Sequence, residues 1–596
     1  MKHSMVWKFT MLALTLAVTA SAARAQDPVE DLRRTLSVGG PIDDTSPDAL
    51  DFRRSKIQEA ADRMKTIGQL RRALILDEWK VDPDRVVNEG IRTVDTEMRK
   101  MIGLRLKGAL EKTAREGNSN ARLAVANTIA EMGPTVRALE PGDKGGFARS
   151  LEPLVSRLTQ DPELGVRQEA LRALGNINGP SKEVAAVFRN VLQKDPQVGP
   201  RRLAADGLQQ MIKVVTHLQK RGQTATGVAA NRKELLDVLQ NIAPVASVGV
   251  KDADSEVRMI SLQAVQSAAQ SLAELLEVPE GSGRRNFPPP GRKLSANELA
   301  RILELYRQTE QDLAVVKPML DAFRKEVLTY AEGLRDPEPR VRLAACRAFE
   351  NLGNARLRLV RRARSLPSVV DVKEGINRSP ADLMKEADFL QPVLDRDMQQ
   401  VIVLLRDPDV RIRRATAEAL EVLEDKAEPA MAGLMLALQD PDRFVRWTAA
   451  KTLGYMPNDR ARPAIMPLAT LLGDSDLNLR IAAATSLEAL GPVAKDAVPA
   501  LSIAIKSGDI EARLAAMYAL MKIGPVPAAA AIPALIACLG DNDPRVVRTA
   551  CEVLAEIGPP AAAALPVLRT LVGSEDPEVR VWASEATLSI LRTPEN

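Results

Sequence analysis

Along the carboxyl-terminal third of the chain, one pattern of apolar and polar positions returns at a regular interval. Between Asp440 and Arg580 an acidic or polar turn precedes an arginine, and apolar residues then follow at spacings of three and four. In one copy these apolar positions are Val547, Ala550, Cys551, Leu554 and Ile557. This spacing places them on one face of an α-helix. Each copy therefore predicts a helix that buries one side.

Arginines mark the length of the repeat. Those of five successive copies are Arg446, Arg480, Arg513, Arg548 and Arg580, which lie 34, 33, 35 and 32 residues apart. A period in this range is typical of stacked helical pairs. Elsewhere an acidic residue precedes an arginine by six positions, in the pairs Asp161/Arg167, Asp195/Arg201, Asp252/Arg258, Asp336/Arg342, Asp407/Arg413, Asp440/Arg446 and Asp474/Arg480. With Arg122, Arg513, Arg548 and Arg580, which lack the clear acid, the pattern predicts eleven units.

Turn residues divide each unit into two helices. Asp-Pro ends the first helix, because the residue before proline is pushed out of the α region, and proline suits the first turn of the second helix. Gly-Pro at 491–492, 524–525 and 558–559 then ends the second helix. The unit predicted from these signals is a helical hairpin.

The combined pattern, Asp-x-x-x-x-Val-Arg-x-x-Ala-x-x-Ala-Leu-x-x-Ile-Gly-Pro, resembles HEAT repeats, in particular the HEAT-like type of phycobilisome lyases. Residues 428–592 match it well, 98–213 moderately and 231–424 in islands. The resemblance implies an all-α fold, a right-handed, armadillo-type α-solenoid of about eleven hairpins whose second helices line a concave face. It also implies a ladder of hydrogen bonds between successive units. The ladder residues expected from it are Asp161, Arg167, Asp336, Arg342, Asp407, Arg413, Asp440, Arg446, Asp474, Arg480, Arg513, Arg548 and Arg580.

The amino terminus has the three parts of a secretory signal. Lys2 and Lys8 precede the apolar run Phe9–Ala20, and Ala23-Arg24-Ala25 provides a small-x-small cleavage site. We therefore expect cleavage after residue 25 and export to a periplasm or the medium, the alternative being an uncleaved anchor. No later stretch approaches 18 apolar residues, so no transmembrane segment is expected in the mature chain.

Breaks in the repeat spacing set the predicted domain organisation. Successive arginines from Arg201 to Arg413 lie 57, 84 and 71 residues apart, which indicates insertions. The predicted segments are a signal peptide (1–25), a flexible mature terminus (26–50), a helical cap (51–97), HEAT-like repeats (98–275), an insertion with a Pro/Gly-rich basic loop and a helix (276–330), one repeat (331–353), an Arg-rich insertion (354–387), regular repeats (388–592) and a tail (593–596).

Candidate catalytic chemistry is scarce. The mature chain has one histidine, His217, which excludes histidine-based triads and multi-histidine metal sites. Phosphate-binding, nucleophile-elbow and Cys-x-x-Cys motifs are also missing. We expect no enzyme activity, cofactor or metal. Cys346, Cys538 and Cys551 lie in helical contexts as small apolar residues, and Cys538–Cys551 is the one pair that could form a disulfide.

Charge argues against nucleic acid as the partner. Removal of Lys2, Lys8 and Arg24 with the leader lowers the formal net charge from +4 to +1. Two clusters remain as candidate partner-binding residues, namely Arg358, Arg361 and Arg362, which share a helical face, and Arg284, Arg285 and Phe287 in the basic loop. The alternatives are a solvated helix face and a mobile surface loop.

Three functions remain open from the sequence. The favoured one is a non-enzymatic, exported scaffold that binds a protein partner on the concave face. A bilin-lyase-like factor for cofactor attachment follows from the resemblance alone. An architectural binder of an acidic envelope polymer would use the Arg-rich segment.

Overall fold

The computed structural model describes residues 107–108, 110–139, 147–177, 182–221, 228–276, 295–366, 380–457 and 460–592. All regular elements in these ranges are helical, which confirms the predicted all-α fold. The chain divides into two compact units, residues 1–268 and 269–596. The predicted segments 1–25, 26–50, 51–97 and 593–596 lie outside the described residues.

The first unit consists of antiparallel helices stacked in pairs. Its helices are α1 (Ser119–Leu139), α2 (Phe147–Leu158), α3 (Leu164–Ile177), α4 (Lys182–Lys194), α5 (Val198–Arg221), α6 (Val228–Val250) and α7 (Ser255–Leu275), the last of which runs across the boundary residue. Helices α1, α3 and α5 pack side by side, and α4 packs on α5 and α6. Phe188 of α4 is fully buried where Gly207 of α5 leaves room, since a Cβ there would lie 2.5 Å from the ring. Close helix approach in this unit therefore depends on a missing side chain.

The second unit starts with long helices and continues with short, regular pairs. The long ones are α8 (Ala296–Glu332) and α9 (Pro339–Ser365), followed by α10 (Pro380–Ala387). The pairs are α11 (Gln391–Leu404) and α12 (Val410–Glu421), α13 (Met431–Ala437) and α14 (Arg443–Leu453), α15 (Arg462–Leu471) and α16 (Leu477–Leu490), and α17 (Val498–Ala504) and α18 (Ile510–Ile523). The turn α19 (Pro525–Ala528) leads to the pairs α20 (Ile532–Cys538) and α21 (Pro544–Ile557), and α22 (Leu565–Leu571) and α23 (Pro577–Leu591).

Short 3-10 segments connect the pairs, at Gly333–Arg335, Asp388–Leu390, Glu424–Ala430, Gly491–Ala497, Ala529–Ala531 and Pro559–Ala564. Three second helices end on a glycine with positive φ, namely Gly491 (56°), Gly524 (104°) and Gly558 (70°). Glycine adopts this backbone without the steric penalty of a Cβ. Glu424, with φ 51°, takes this role after α12.

Second helices pack side by side through the second unit. Helix α9 contacts α12, and contacts continue in order through α14, α16, α18, α21 and α23. Aspartates at the N-caps of five of these helices accept a backbone N–H of the first turn: Asp409, Asp442, Asp476, Asp543 and Asp576. Such caps satisfy amides that a helix start leaves unpaired. The stacked pairs form a helical solenoid in this unit.

One predicted boundary differs from the structure. The sequence predicts that the Arg-rich insertion starts at residue 354, but helix α9 runs without interruption from the repeat to Ser365. Its buried stripe continues through Leu352, Ala355, Leu359 and Ala363. Because these residues keep the helical spacing, the arginines between them extend a repeat helix. The segment 367–379 and the basic loop 277–294 lie outside the described residues.

All three cysteines are buried free thiols. Cys346, Cys538 and Cys551 form no disulfide in the structure. Burial raises the pKa of Cys346 to about 11 and that of Cys551 to about 12.

In the described ranges, no helix is both long and apolar enough to cross a membrane.

Candidate functional site

Arginines of the second helices in the first unit connect successive repeats. Arg122 donates from Nε to Oδ2 of Asp161 at 2.6 Å, Arg167 does so to Asp195 at 2.7 Å, and Arg201 to Asp252 at 2.7 Å. We call this series, with its counterpart in the second unit, the arginine–aspartate ladder. The hydrogen bond and the charge of Asp161 raise the pKa of Arg122, against the effect of burial.

The same contacts join repeats of the second unit. Arg342 donates from Nε to Asp407 at 2.9 Å, and Arg413 to Asp440 at 2.8 Å. Each of these arginines also donates from Nη1 to a carbonyl in its own turn, Asp336 O at 2.9 Å and Asp407 O at 3.0 Å. One guanidinium therefore fixes the turn of its own repeat and binds the turn of the next.

Aspartates of the ladder are shared between two structural tasks. While Asp407 accepts from Arg342, its Oδ1 also accepts the backbone N–H of Asp409 at 2.9 Å. Asp440 does the same for Asp442 at 2.8 Å. A carboxylate can accept several hydrogen bonds at once. Turn geometry and stacking between repeats are thus coupled through one side chain.

The ladder loosens toward the carboxyl terminus. Arg446 Nε lies 3.9 Å from Asp474 Oδ2, and this nitrogen has no hydrogen-bond acceptor among the described residues. Ser507 replaces the next acid, so Arg480 reaches the N-cap residue Asp509 through Nη2 instead. Arg513 returns to the regular partner and lies 2.6 Å from Asp541.

Arg548 does not occupy a ladder position, which differs from the sequence prediction. In the regular repeats the ladder arginine lies four residues after the N-cap, as Arg446 does after Asp442. Four residues after the N-cap Asp543 comes Val547, which is buried. Arg548 is displaced by one residue and pairs with the exposed Glu578. The next turn carries Ser574 in place of the acid, and among the described residues Arg580 bonds to carbonyls of its own turn, Ser574 O and Glu575 O, at 2.8 and 2.9 Å.

The Arg-rich segment of α9 contacts the turn that follows the neighbouring helix α12. Arg356 is buried and donates to Leu423 O at 3.2 Å, and burial lowers the pKa of its guanidinium. Arg364 lies 3.2 Å from Glu424, and Arg361 lies 4.0 Å from the same carboxylate. Arg358 and Arg362 are part-buried on this helix. The other candidates, Arg284, Arg285 and Phe287, lie outside the described residues.

A different surface gathers aromatic residues that the sequence reasoning missed. Phe444 and Trp447 on α14, Ile481 on α16 and Tyr518 on α18 line three adjacent second helices, and we call them the second-helix face. Phe444 and Tyr518 are exposed, while Trp447 and Ile481 are half-buried. Trp447 and Ile481 share a register, each five residues after its N-cap. The available signal was three aromatic residues on two second helices in a chain with 3% aromatics.

Cations surround the aromatic rings of this face. The guanidinium carbons of Arg414 and Arg443 lie 4.7 and 4.8 Å from the Phe444 ring centre, and Lys451 Nζ lies 4.4 Å from that of Trp447. Such contacts hold the rings in defined orientations. Arg414 also donates from Nε to Asp442 at 2.9 Å, and this bond lowers the pKa of Asp442. At the register of Trp447 and Ile481 the first unit has Leu123, Gln168, Arg202 and Met259, and none of these is aromatic.

Comparison with protein families assigns the repeats. Residues 398–471, 465–550 and 532–596 match a family model described as HEAT repeats, and residues 329–355 match one described as HEAT repeat. These stretches are HEAT repeats. The HEAT assignment agrees with the helical pairs from α11 to α23, and with α9. No curated protein matches the chain.

Two solved structures show limited likeness to this chain. One, described as an engineered protein, is 18% identical over 81% of this chain and 98% of its own, with a TM-score of 0.37. The other is Kap95p, whose binding is described as inducing the GTP-bound conformation of the RanGDP switch loops. It is 12% identical over 97% of this chain, with a TM-score of 0.41. This chain spans 64% of the Kap95p chain. These values carry no argument about function.

HEAT-repeat solenoids commonly serve as protein-interaction scaffolds. Within the repeats of this chain, ladder residues serve stacking, because most of them already bond to a neighbouring turn. The second-helix face contributes little to stacking through its exposed rings. It is the candidate binding site of the HEAT region.

Proposed function

We propose that the protein is an exported, non-enzymatic scaffold that binds a protein partner on the second-helix face. One observation carries the proposal: Phe444, Trp447, Ile481 and Tyr518 lie on three adjacent second helices, and Phe444 and Tyr518 are exposed. Tryptophan, tyrosine and arginine are the residue types that dominate binding energy at protein interfaces. By the resemblance to other HEAT proteins, this face is the concave one.

The second-helix face combines aromatic rings on rigid helices with an exposed arginine side chain. Phe444 is 46% exposed and Tyr518 37% exposed, so both rings have surface left to bury. Their backbones belong to packed helices, which limits the entropy lost on binding. Arg443 is exposed beside Phe444, where a carboxylate or carbonyl of a partner can accept from its guanidinium. A protein segment with apolar side chains and hydrogen-bond acceptors fits this arrangement.

Partner capture tests the proposal. The purified chain and its Trp447→Ala/Tyr518→Ala variant would be mixed with exported proteins of the host and crosslinked. We expect a defined partner with the wild-type chain and a loss of about tenfold or more with the variant, since hot-spot truncations cost about 2 kcal/mol or more each. Val403→Ala, which removes an exposed side chain from the first helix α11, is the matched control. Equal capture by all three proteins would contradict the proposal.

Export is a separate part of the proposal. It is supported by the leader-like sequence of residues 1–25. Amino-terminal sequencing of the protein from cell fractions tests it, and we expect an extracytoplasmic product that begins at Gln26. A product that begins at Met1 in the cytoplasm would contradict export without affecting the binding face.

Polymer binding remains as a second candidate, because Arg361 and Arg364 stay 60% and 56% exposed while they share Glu424. Binding of an acidic polysaccharide that is lost in Arg358→Gln/Arg361→Gln/Arg362→Gln would favour it. Unchanged binding would exclude this cluster.

The lyase-like alternative rests on resemblance alone, and bilin absorbance after incubation with the protein tests it.

A further inference from the structure

Four neighbouring first helices in the second unit are almost free of charge. Helices α13, α15, α17 and α20 contain one charged residue, Arg462, at the start of α15. The whole chain is 27% charged. These helices lie next to one another in order. Interfaces are depleted of charge at their centres, so this surface has the composition of an interface.

Large apolar side chains project from this surface. Ile503 is 74% exposed, Met466 59% and Leu436 51%. Single exposed apolar residues are ordinary on protein surfaces. A row of them on adjacent helices, without intervening charge, is the kind of patch that marks an association site. We call the outward surface of α13, α15, α17 and α20 the neutral face.

Side-chain size alternates along the neutral face. The turns after these helices begin at Asp440, Asp474, Ser507 and Asp541. Four residues before each of them, at one register position, lie Leu436, Thr470, Ile503 and Ala537 in the order of the helices. All four are exposed or half-buried. The Thr470 hydroxyl already donates to Met466 O at 3.0 Å, so its burial would leave no unpaired donor. Two large residues therefore alternate with two smaller ones.

This order is complementary to itself under a two-fold rotation. An axis in the contact plane, parallel to the first helices and between α15 and α17, reverses the order of the helices and keeps each register position level. Leu436 then faces Ala537 of the second copy, and Ile503 faces Thr470 of the second copy. Large meets small at every position of the row, which is how packed layers interdigitate.

Charge fits the same arrangement. One position before the turns stand Gln439, Gly473, Lys506 and Gly540. The rotation places Lys506 opposite Gly473 of the second copy, so the two lysines do not meet. The four helices themselves contain no carboxylate.

We propose that the neutral face binds a second copy of this chain, in an isologous dimer about that axis. With helices about 10 Å apart and a rise of about 1.5 Å per residue, the strip covers roughly 400–600 Å² per copy. Standard interfaces bury about 800 Å² per partner. The dimer is therefore reversible and depends on concentration. It leaves the second-helix face free, so it is independent of the proposed partner.

Sedimentation equilibrium of the full chain tests the dimer. We expect the mass to rise toward twice that of the monomer with concentration, and Leu436→Asp/Ile503→Asp to remain monomeric with unchanged circular dichroism. Leu588→Asp, an equally exposed position on the second helix α23, is the control and should dimerise as the wild type does. A monomeric wild type, or dimerisation that the double variant retains, would overturn the proposal.

Crosslinking tests the axis. In Leu436→Cys/Ala537→Cys the two new thiols lie three helices apart in one copy, about 30 Å at ordinary helix spacing, which a disulfide cannot span. The proposed dimer brings them together between copies, so mild oxidation should give a covalent dimer. Leu436→Cys alone should give none, because Leu436 faces Ala537 and not itself. If the double-cysteine variant forms no covalent dimer and the wild type binds phosphatidylcholine vesicles, the proposal would be overturned in favour of a lipid surface.

Discussion

Arg342 donates from Nε to Oδ2 of Asp407 at 2.9 Å, although 65 residues separate the two in sequence. In the regular part of the solenoid the equivalent step from Arg413 to Asp440 spans 27 residues. The contact is of similar length in both. Additional residues between successive repeats, here 366–387 with α10, are therefore accommodated without loss of the ladder step that aligns the repeats.

This step should contribute strongly to stability. Asp407 is almost fully buried, so Arg342→Met would leave a buried carboxylate without its cation and cost about 3 kcal/mol. Urea unfolding followed by circular dichroism measures the change. Arg548→Met is the matched control, since its partner Glu578 is 68% exposed, and exposed pairs contribute about 0–1 kcal/mol. Equal losses in the two variants would show that Arg342 is no more important than a surface arginine.

A missing ladder step should be restorable. Val547 occupies the arginine position and Ser574 the acid position of the same step. Val547→Arg alone should destabilise the protein, because a cation would enter a buried site without a partner. Combined with Ser574→Asp, it should recover about 1–3 kcal/mol relative to the sum of the single changes. A double-mutant cycle on the unfolding free energies tests this, and additive effects would mean that the two positions do not meet.

The helices, their pairing and the ladder positions could be predicted because each unit repeats the same turn, cap and apolar stripe. The slip at Arg548 arose from counting between arginines. The turn Asp541-Asn542-Asp543 has the same length as Asp440-Pro441-Asp442, so counting four residues from the N-cap would have identified Val547. The carboxyl-terminal end of α9 was predicted too early because the cluster of arginines suggested an insertion. Leu352, Ala355 and Leu359 continue the helical spacing past that point.

The surfaces could not be predicted in the same way. Exposure of Phe444 or Ile503 depends on which side of a helix the neighbouring repeats cover. A single helix sequence gives its apolar residues but not the share that stacking leaves uncovered. From the sequence, the aromatic residues of the second-helix face were compatible with a buried core. Only the stacking of α14, α16 and α18 shows that their side chains face outward.

Acid should weaken the repeats through Asp442. Its pKa is lowered by the hydrogen bond from Arg414 and by the backbone N–H groups of Val445 and Phe444. A carboxyl with a lowered native pKa stabilises the fold above its unfolded pKa, near 4, and this contribution is lost as the pH falls through the native value. Asp442→Asn should therefore be less stable at pH 7 and lose less stability on acidification. Glu585→Gln, at an exposed position, should follow the wild type across the titration, and identical pH curves for all three proteins would contradict the role of Asp442.

Backbone conformation, separate from packing, should decide the effect of alanine at Gly524. This residue has φ 104° and ψ 162°, and a Cβ built there meets no atom within 4 Å. Any cost of Gly524→Ala must then come from the backbone, since L-residues avoid this region at a cost of about 1–3 kcal/mol. Gly508 also has open space around its Cβ position but lacks the positive φ. Gly508→Ala should change the unfolding free energy by about 0.5 kcal/mol or less, and the difference between the two variants in urea unfolding measures the strain at the end of α18. If Gly524→Ala unfolded at the wild-type urea concentration, the glycine at this helix end would have no conformational role.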